Sequence, residues 1–296
     1  MSIREVLAKL AFRADGSFKT VHDRQNVASR LGDYLRMNNI QIKEVQHLKT
    51  AHIVGYISSR KDSGIGLRTL QNEMSSIRVM LKEANREQFA KSENLSNKML
   101  GISGASRDGT HLAMPESMFS NICNQLKEVD LDVHSCALLQ RHLGLRAEEA
   151  IQGCKSLKTW TKQLEKGDVV RVIFGTKGGR ARDTRVINIQ TAKEVIALAL
   201  TRMKNNGGKI INKADLKSAM NRYHYVMRKC GCVGEYASHS LRYTYADERV
   251  DAYLLQNFTL QESEGMTSLD LGHGDGRGRY IRQVYRKNKA ICQKAT

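Results

Sequence analysis

Apolar positions in the first hundred residues recur at three- and four-residue steps, the period of a helix with one buried face. Val21, Val27, Leu31, Tyr34 and Leu35 form one such series, and Leu67, Leu70, Met74, Ile77 and Leu81 form another. Between them AHIVGYISSR reads as a shorter helix, with Thr50 and Ser63 or Gly66 near the helix starts. The pattern predicts a bundle of about four helices with basic faces over residues 1–100. The stretch from Gly101 to Thr110 is rich in glycine and serine, and the only proline, Pro115, follows it. Residues 101–115 are therefore expected to be a linker.

Beyond Pro115 the pattern changes. Residues 116–127 and 130–142 read as helices. Two β-branched runs, VVRVIF (169–174) and TRVINI (184–189), then flank GTKGGRARD, a glycine-rich turn studded with cations, so a β-hairpin is predicted. The helical period returns through Ile196, Leu198 and Leu200, again over 214–229 and 239–257, and near the C-terminus. The expected fold is mainly α with one small β-hairpin: a helical domain over 1–100 and an α+β domain over 116–296. No internal repeat or low-complexity tract interrupts it.

Composition narrows the function. A chain of 296 residues with 41% hydrophobic content can bury a sizeable core. It carries 48 Lys+Arg against 30 Asp+Glu, a formal charge of +18, and the excess runs through both halves. A field of that sign favours a long polyanion, because each neutralised phosphate releases condensed counterions. Nucleic acid is the expected partner. A membrane surface is not, since no helix joins a strong apolar face to a lysine-rich one. No run approaches the ~18–20 apolar residues of a membrane span. The start, MSIREVLAKLAFRADGSF, lacks the apolar core and cleavage site of a secretory signal, so a cytoplasmic location is expected. Cysteines at 123, 136, 154, 230, 232 and 292 make neither a disulfide framework nor a zinc site, and Cys230-Gly-Cys232 is too tight for a zinc knuckle. They read as reduced thiols.

Several residues of the second half could carry chemistry, though each is ordinary by itself. Arg146 follows an apolar helix in LGLRAEEA. Lys177 sits at the hairpin tip. His239 and Arg242 share a helix face in SHSLRYTYA, His273 lies in LDLGHGDGRGR, and Tyr280 and Tyr285 lie in GRYIRQVYRK. The alternating glycines of GHGDGRGR are no dinucleotide fingerprint, because no βαβ unit surrounds them. The remaining histidines, at 22, 47, 52, 111, 134, 142 and 224, read as structural.

Their order along the chain is informative. Gly144-Leu145-Arg146-Ala147-Glu148-Glu149, Lys177, His239-Ser240-Leu241-Arg242, Leu271-Gly272-His273 and a tyrosine near the C-terminus resemble the tyrosine recombinase (phage-type integrase) family. That family shows G-L-R-x-x-E, a hairpin lysine, H-x-L-R, L-G-H and a terminal tyrosine in the same order. The resemblance covers most of the chain, since Thr50 with AHIVGYISSR and the later GLRTLQNEMSSIRVML look like the family's SAM-like core-binding domain. It implies a site-specific DNA recombinase, the integrase of a prophage or other mobile element in a bacterial cell. Such an enzyme cuts and rejoins strands through a covalent 3′-phosphotyrosine. The implied catalytic residues are Arg146, Lys177, His239, Arg242, His273 and Tyr285, with Tyr280 as the alternative nucleophile. The resemblance implies no cofactor and no metal.

The chemistry suits these residue types. Planar, permanently charged arginine forks can clamp the oxygens of a phosphodiester under attack. A tyrosine hydroxyl needs a proton acceptor, for which His239 is expected, while His273 would hydrogen-bond the phosphate. The resemblance assigns Lys177 as the acid for the departing 5′ oxygen, and Glu149 is expected to orient its neighbours.

The expected partners are double-stranded DNA attachment sites, held in a two-domain clamp, with a DNA-bending accessory protein possible. Four copies would assemble on two sites and exchange the tail Arg286–Thr296. The first helix begins near residue 1, so a simple integrase without an arm-binding domain is expected. Two departures stand out: NFTLQESEGMT reads as an insertion between Arg242 and His273, and the glycine-rich loop after His273 is unusual. Tyr280 lies seven residues after His273 and Tyr285 twelve; the lengthened loop and the Gln-Val-Tyr setting favour Tyr285. A recombinase-derived DNA-binding protein without activity and a Xer-type dimer-resolving recombinase are the alternatives.

Overall fold

The computed structural model describes residues 1–287 and divides into two compact units, Met1–Ser106 and the part from Arg107 onward. In the first unit, α1 (Ile3–Arg13) starts at a capping box in which Ser2 and Glu5 satisfy each other's backbone amides. It packs on α2 (Phe18–Met37), where Gly32 lets the backbones approach: a Cβ there would lie 2.8 Å from the Arg4 Cα. Helices α3 (Thr50–Asp62) and α4 (Leu67–Glu83) close the core, and the short α5 (Glu87–Ala90) follows. Leu7, Leu31, Leu35, Ile53, Ile57, Leu70, Met74 and Ile77 are buried there. Each such side chain stabilises by about 1.5–3 kcal/mol. Of the positions the helical period picked out, Val27, Leu31, Leu35, Leu70, Met74, Ile77 and Leu81 are buried, Val21 and Tyr34 are half-buried and Leu67 is exposed; α3 begins at Thr50. Within that core Glu73 accepts from the Tyr56 hydroxyl and the Arg60 guanidinium, both at 2.8 Å.

The second unit begins with α6 (Glu116–Val129) and α7 (Leu131–His142), separated by Asp130, whose carboxylate caps α7 by accepting from the Asp132 and Val133 amides. Two short helices, α8 (Ala147–Gln152) and α9 (Leu157–Leu164), lead into the hairpin. Its strands are β1 (Val169–Val172) and β2 (Arg182–Arg185), antiparallel with Val169 opposite Arg185 and Val172 opposite Arg182. The strands are shorter than expected and the second starts earlier. Ile173 and Phe174 leave the ladder because Gly175 turns the chain at φ +74, and Ile187 is largely exposed. Helices α10 (Ile189–Asn205), α11 (Leu216–Lys229) and α12 (Ser240–Leu254) follow the predicted periods.

The stretch NFTLQESEGMT is largely helical. Most of it lies in helix α13 (Leu260–Asp270), capped by Thr259 and Glu262 and packed on α12 and β2. Its buried positions are Ser263, Glu264, Thr267, Ser268 and Asp270, so no apolar stripe marks it. The chain ends its described course in α14 (Gly278–Tyr280) and a widened π turn, Ile281–Tyr285. Among the described residues the fold is therefore mainly α with a single small hairpin. Of the stretch 101–115, Ile102 is buried in the first unit's core and Met114 in the second's. The tail exchange expected of Arg286–Thr296 falls mostly outside the described residues, which stop at Lys287, and Cys292 lies there too. The five described cysteines are free thiols. No helix among the described residues is long and apolar enough to cross a membrane.

Candidate active site

Each predicted site residue sits where an element starts or ends. The chain leaves α7 through Gly144 at φ +60, in a space a Cβ could not share with the Tyr245 ring 2.4 Å away, and Arg146 then opens α8. Lys177 lies in the hairpin turn, exposed, just before Gly178 and Gly179, where an added Cβ would meet nothing within 4 Å. His239 immediately precedes α12 and Arg242 lies in its first turn. His273 follows α13 through Gly272, whose φ of +68 and 2.6 Å approach to the Arg182 side chain admit only glycine. Tyr285 closes the π turn.

These six residues come from five separate segments, and five of them line one cleft of about 620 Å3: Arg146, Lys177, His239, His273 and Tyr285. Arg242 reaches the same place from the core. It is fully buried, donates to the carbonyls of Gly144 and Leu271, and its Nε lies 3.3 Å from the Tyr285 hydroxyl. The Tyr285 hydroxyl is also 3.0 Å from His273 Nε2. Tyr280 lines the cleft as well, with its ring 4.7 Å from the His273 ring, but it is 38% exposed against 6% for Tyr285. His273, not His239, is thus the histidine at the tyrosine hydroxyl. His239 packs edge-on against His111 and Tyr243.

Glu149 joins the cationic groups. Its carboxylate accepts from the Arg146 amide and guanidinium, both at 2.7 Å, and from Arg182 at 2.8 Å, with Arg242 at 3.8 Å. Burial alone would raise its pKa, but the hydrogen bonds and charge of Arg182, with Arg242 and Arg146, hold it down at about 2. His239 is pushed down to about 3 by burial and then by Arg242 and other neighbours. His273 is likewise pushed to about 3, by burial and then by Arg242, Arg146 and Arg182. Both imidazoles are neutral at pH 7. Among the described residues, no group of three His, Cys, Asp or Glu side chains is placed to hold a metal ion.

Two residues escaped sequence reasoning. Arg182 bonds Glu149, the Gly144 carbonyl and, at 3.0 Å, the Asp270 carbonyl, so it ties the hairpin to both ends of the site. Asp270 accepts from Tyr253 at 2.8 Å and Arg249 at 3.2 Å, fixing the end of α13 just before His273. No local motif marks either one.

A mainly helical unit that gathers two arginines, a hairpin lysine, two histidines and a tyrosine around one cleft defines a class. Residues 101–248, half of the chain, match the family model for integrases, and residues 2–90 match that for the N-terminal part of phage integrases. The chain belongs to the tyrosine recombinase family of phage-type integrases, and its activity is site-specific DNA recombination. Solved structures share the fold. An integrase fragment of the Tn1549 transposon, in complex with transposon right-end DNA, aligns with a TM-score of 0.62 at 13% identity, covering 99% of each chain. A lambda integrase dimer bound to a COC′ core site aligns with a TM-score of 0.63 at 14% identity, covering 95% of this chain and 76% of that one. A lambda integrase tetramer on a Holliday junction gives 0.61 at 13%, with 95% and 77% covered. No curated protein matches the sequence.

Proposed function

We propose that this protein is the integrase of a mobile element such as a prophage, and that Tyr285 is its nucleophile. One observation carries the choice: the Tyr285 hydroxyl is held between Arg242 Nε and His273 Nε2. With Arg242 donating to the phenol oxygen, the phenol's own proton is directed at His273. The oxygen attacks the phosphorus, the bond from phosphorus to the 5′ oxygen breaks, and a 3′-phosphotyrosine forms. His273 takes the phenol proton, in place of the His239 expected from the sequence. A neutral imidazole with a low pKa is a weak base, but an arriving phosphate brings negative charge that raises its proton affinity. The base therefore becomes competent when DNA is in place.

Arg146, one edge of which is fixed by Glu149, has further N–H donors for the phosphate oxygens, and Arg242 supplies charge from below. Lys177, on an open turn, delivers the proton that the 5′ oxygen needs to leave. Phosphodiester bond energy is kept in the protein–DNA link, so a second strand's 5′ hydroxyl can reverse the step. The position of Tyr285 in its own chain's cluster supports cleavage in cis. We assign double-stranded attachment sites as substrate and four copies on two sites as the working assembly. The lambda integrase tetramer on a Holliday junction supports that assembly. The two domains would divide at 1–100 and 116–296, the first gripping DNA and the second cutting it, and a DNA-bending protein would assist.

Suicide substrates nicked beside the element's attachment sites test this reading. The wild type and Tyr280→Phe should give a covalent protein–DNA band on a denaturing gel, and Tyr285→Phe should give none. Loss of the band only with Tyr280→Phe would move the nucleophile. Binding without any band would favour a non-catalytic DNA-binding protein.

A further inference from the structure

We propose that residues 108–114 form a strap that positions the Tyr285 nucleophile, with Gly109 as its critical residue. This rests on the reading of Tyr285 given above. The strap starts two residues past the unit boundary at Ser106 and runs across the π turn that carries Tyr285. It is fastened at both ends. Asp108 accepts from the Gln283 side-chain amide at 3.0 Å, and the Gly109 amide points to the Gln283 carbonyl at 3.4 Å. At the far end the Met114 amide donates to the Thr244 hydroxyl at 2.8 Å, and the Leu112 amide donates to the Glu235 carbonyl at 3.0 Å.

Between these points the strap touches the nucleophile through one intermediary. The His111 backbone amide donates to the Tyr243 hydroxyl, and the Tyr243 ring lies 4.5 Å from the Tyr285 ring, tilted against it. The His111 ring itself packs edge-on against both Tyr243 and His239, so the strap also borders one member of the cluster directly.

Gly109 sets the spacing. A Cβ at that position would stand 1.9 Å from the Val284 carbonyl oxygen and 2.9 Å from the Tyr243 hydroxyl. The backbone of the residue before Tyr285 fills the place of a side chain, so any larger residue must displace the turn or the strap. Of the phosphate-binding set, Arg146 and Lys177 belong to the start of α8 and to the hairpin, while Arg242, the neighbour of Tyr243 in α12, has its guanidinium anchored separately on the Gly144 and Leu271 carbonyls. A displacement here shifts the nucleophile and leaves the phosphate clamp in place. A misplacement of about 1 Å costs on the order of 100-fold in rate.

The test separates nucleophile placement from phosphate activation. Cleavage of a suicide substrate needs Tyr285. Joining a 5′ hydroxyl to a DNA 3′ end activated as a p-nitrophenyl phosphate expels p-nitrophenolate; it needs the phosphate-binding groups and Lys177, which takes the 5′ hydroxyl proton, but not Tyr285. For Gly109→Ala in the full chain, cleavage should fall at least 10-fold while joining and DNA binding stay within about twofold. Asp108→Ala and Gln283→Ala, which remove a fastening without adding bulk, should each slow cleavage more than joining, and their double variant should lose less than the product of the two. Equal loss of cleavage and joining, or wild-type cleavage in all of these variants, would overturn the strap. An adduct that survives Tyr285→Phe would instead overturn the nucleophile assignment on which it rests.

Discussion

The Tyr285 hydroxyl and His273 Nε2 stand 3.0 Å apart, on segments separated by the glycine-rich loop. That loop lets a histidine at the end of α13 face a tyrosine twelve residues later.

Replacing His273 by alanine removes the proposed proton acceptor and its hydrogen bond to the Tyr285 hydroxyl. Cleavage should fall by about 10²–10⁴-fold, the usual contribution of a positioned proton-transfer group. Joining of an activated 3′ end should fall far less. Single-turnover rates on the two substrates measure the difference, and equal losses would contradict the assignment.

Lys177→Ala should slow cleavage of an ordinary phosphodiester by a similar factor. With a sulfur in place of the bridging 5′ oxygen, the leaving thiolate needs no proton, so the variant should cut that substrate at close to the wild-type rate. A defect of the same size on both substrates would show that Lys177 acts on the phosphate rather than on the leaving group.

Glu149→Gln leaves the buried guanidinium of Arg182 facing a neutral amide, and loosens Arg146 and Arg242 as well. Breaking a buried ion pair from one side costs about 3–5 kcal/mol, which urea unfolding would read as a lower midpoint. A change below 1 kcal/mol would show that the arginines find other partners.

The two histidines predict an acid-side loss of stability. Each has a pKa near 3 when folded, against an ordinary value near 6.5. The unfolded chain thus binds more protons between those values, and stability is full above about pH 6.5 and falls as pH drops through the window. Glu149 adds a separate contribution, present above its ordinary range and lost only as pH falls through about 2. The slope of melting temperature between pH 6.5 and 5 should therefore flatten when His239 and His273 are both replaced by asparagine. An unchanged slope would assign the acid sensitivity elsewhere.

Much of this site was legible because its residues come with neighbours in a fixed order: Arg146 after Gly-Leu, Arg242 three residues after His239, His273 after Leu-Gly. The hairpin showed in its β-branched runs, and the first helices in their apolar period. Helix α13 did not show, because its buried face is made of Ser263, Thr267 and Ser268, which hydropathy counts as surface. Arg182 and Asp270 were silent for another reason. Arg182 meets Glu149 across 33 residues and Asp270 across 88, so their roles exist only once the chain has folded. The choice of His273 over His239 as the tyrosine's partner depended on the same kind of long-range closure.

One carboxylate, Glu149, answers three guanidinium groups in the cluster. The cations repel one another within a poorly hydrated site, so the free protein keeps them at a cost in stability. A selection for heat resistance alone would favour replacing the partly exposed Arg146 with a neutral side chain. Thermostabilised descendants of this chain would then be enriched in proteins that fold well and do not cut.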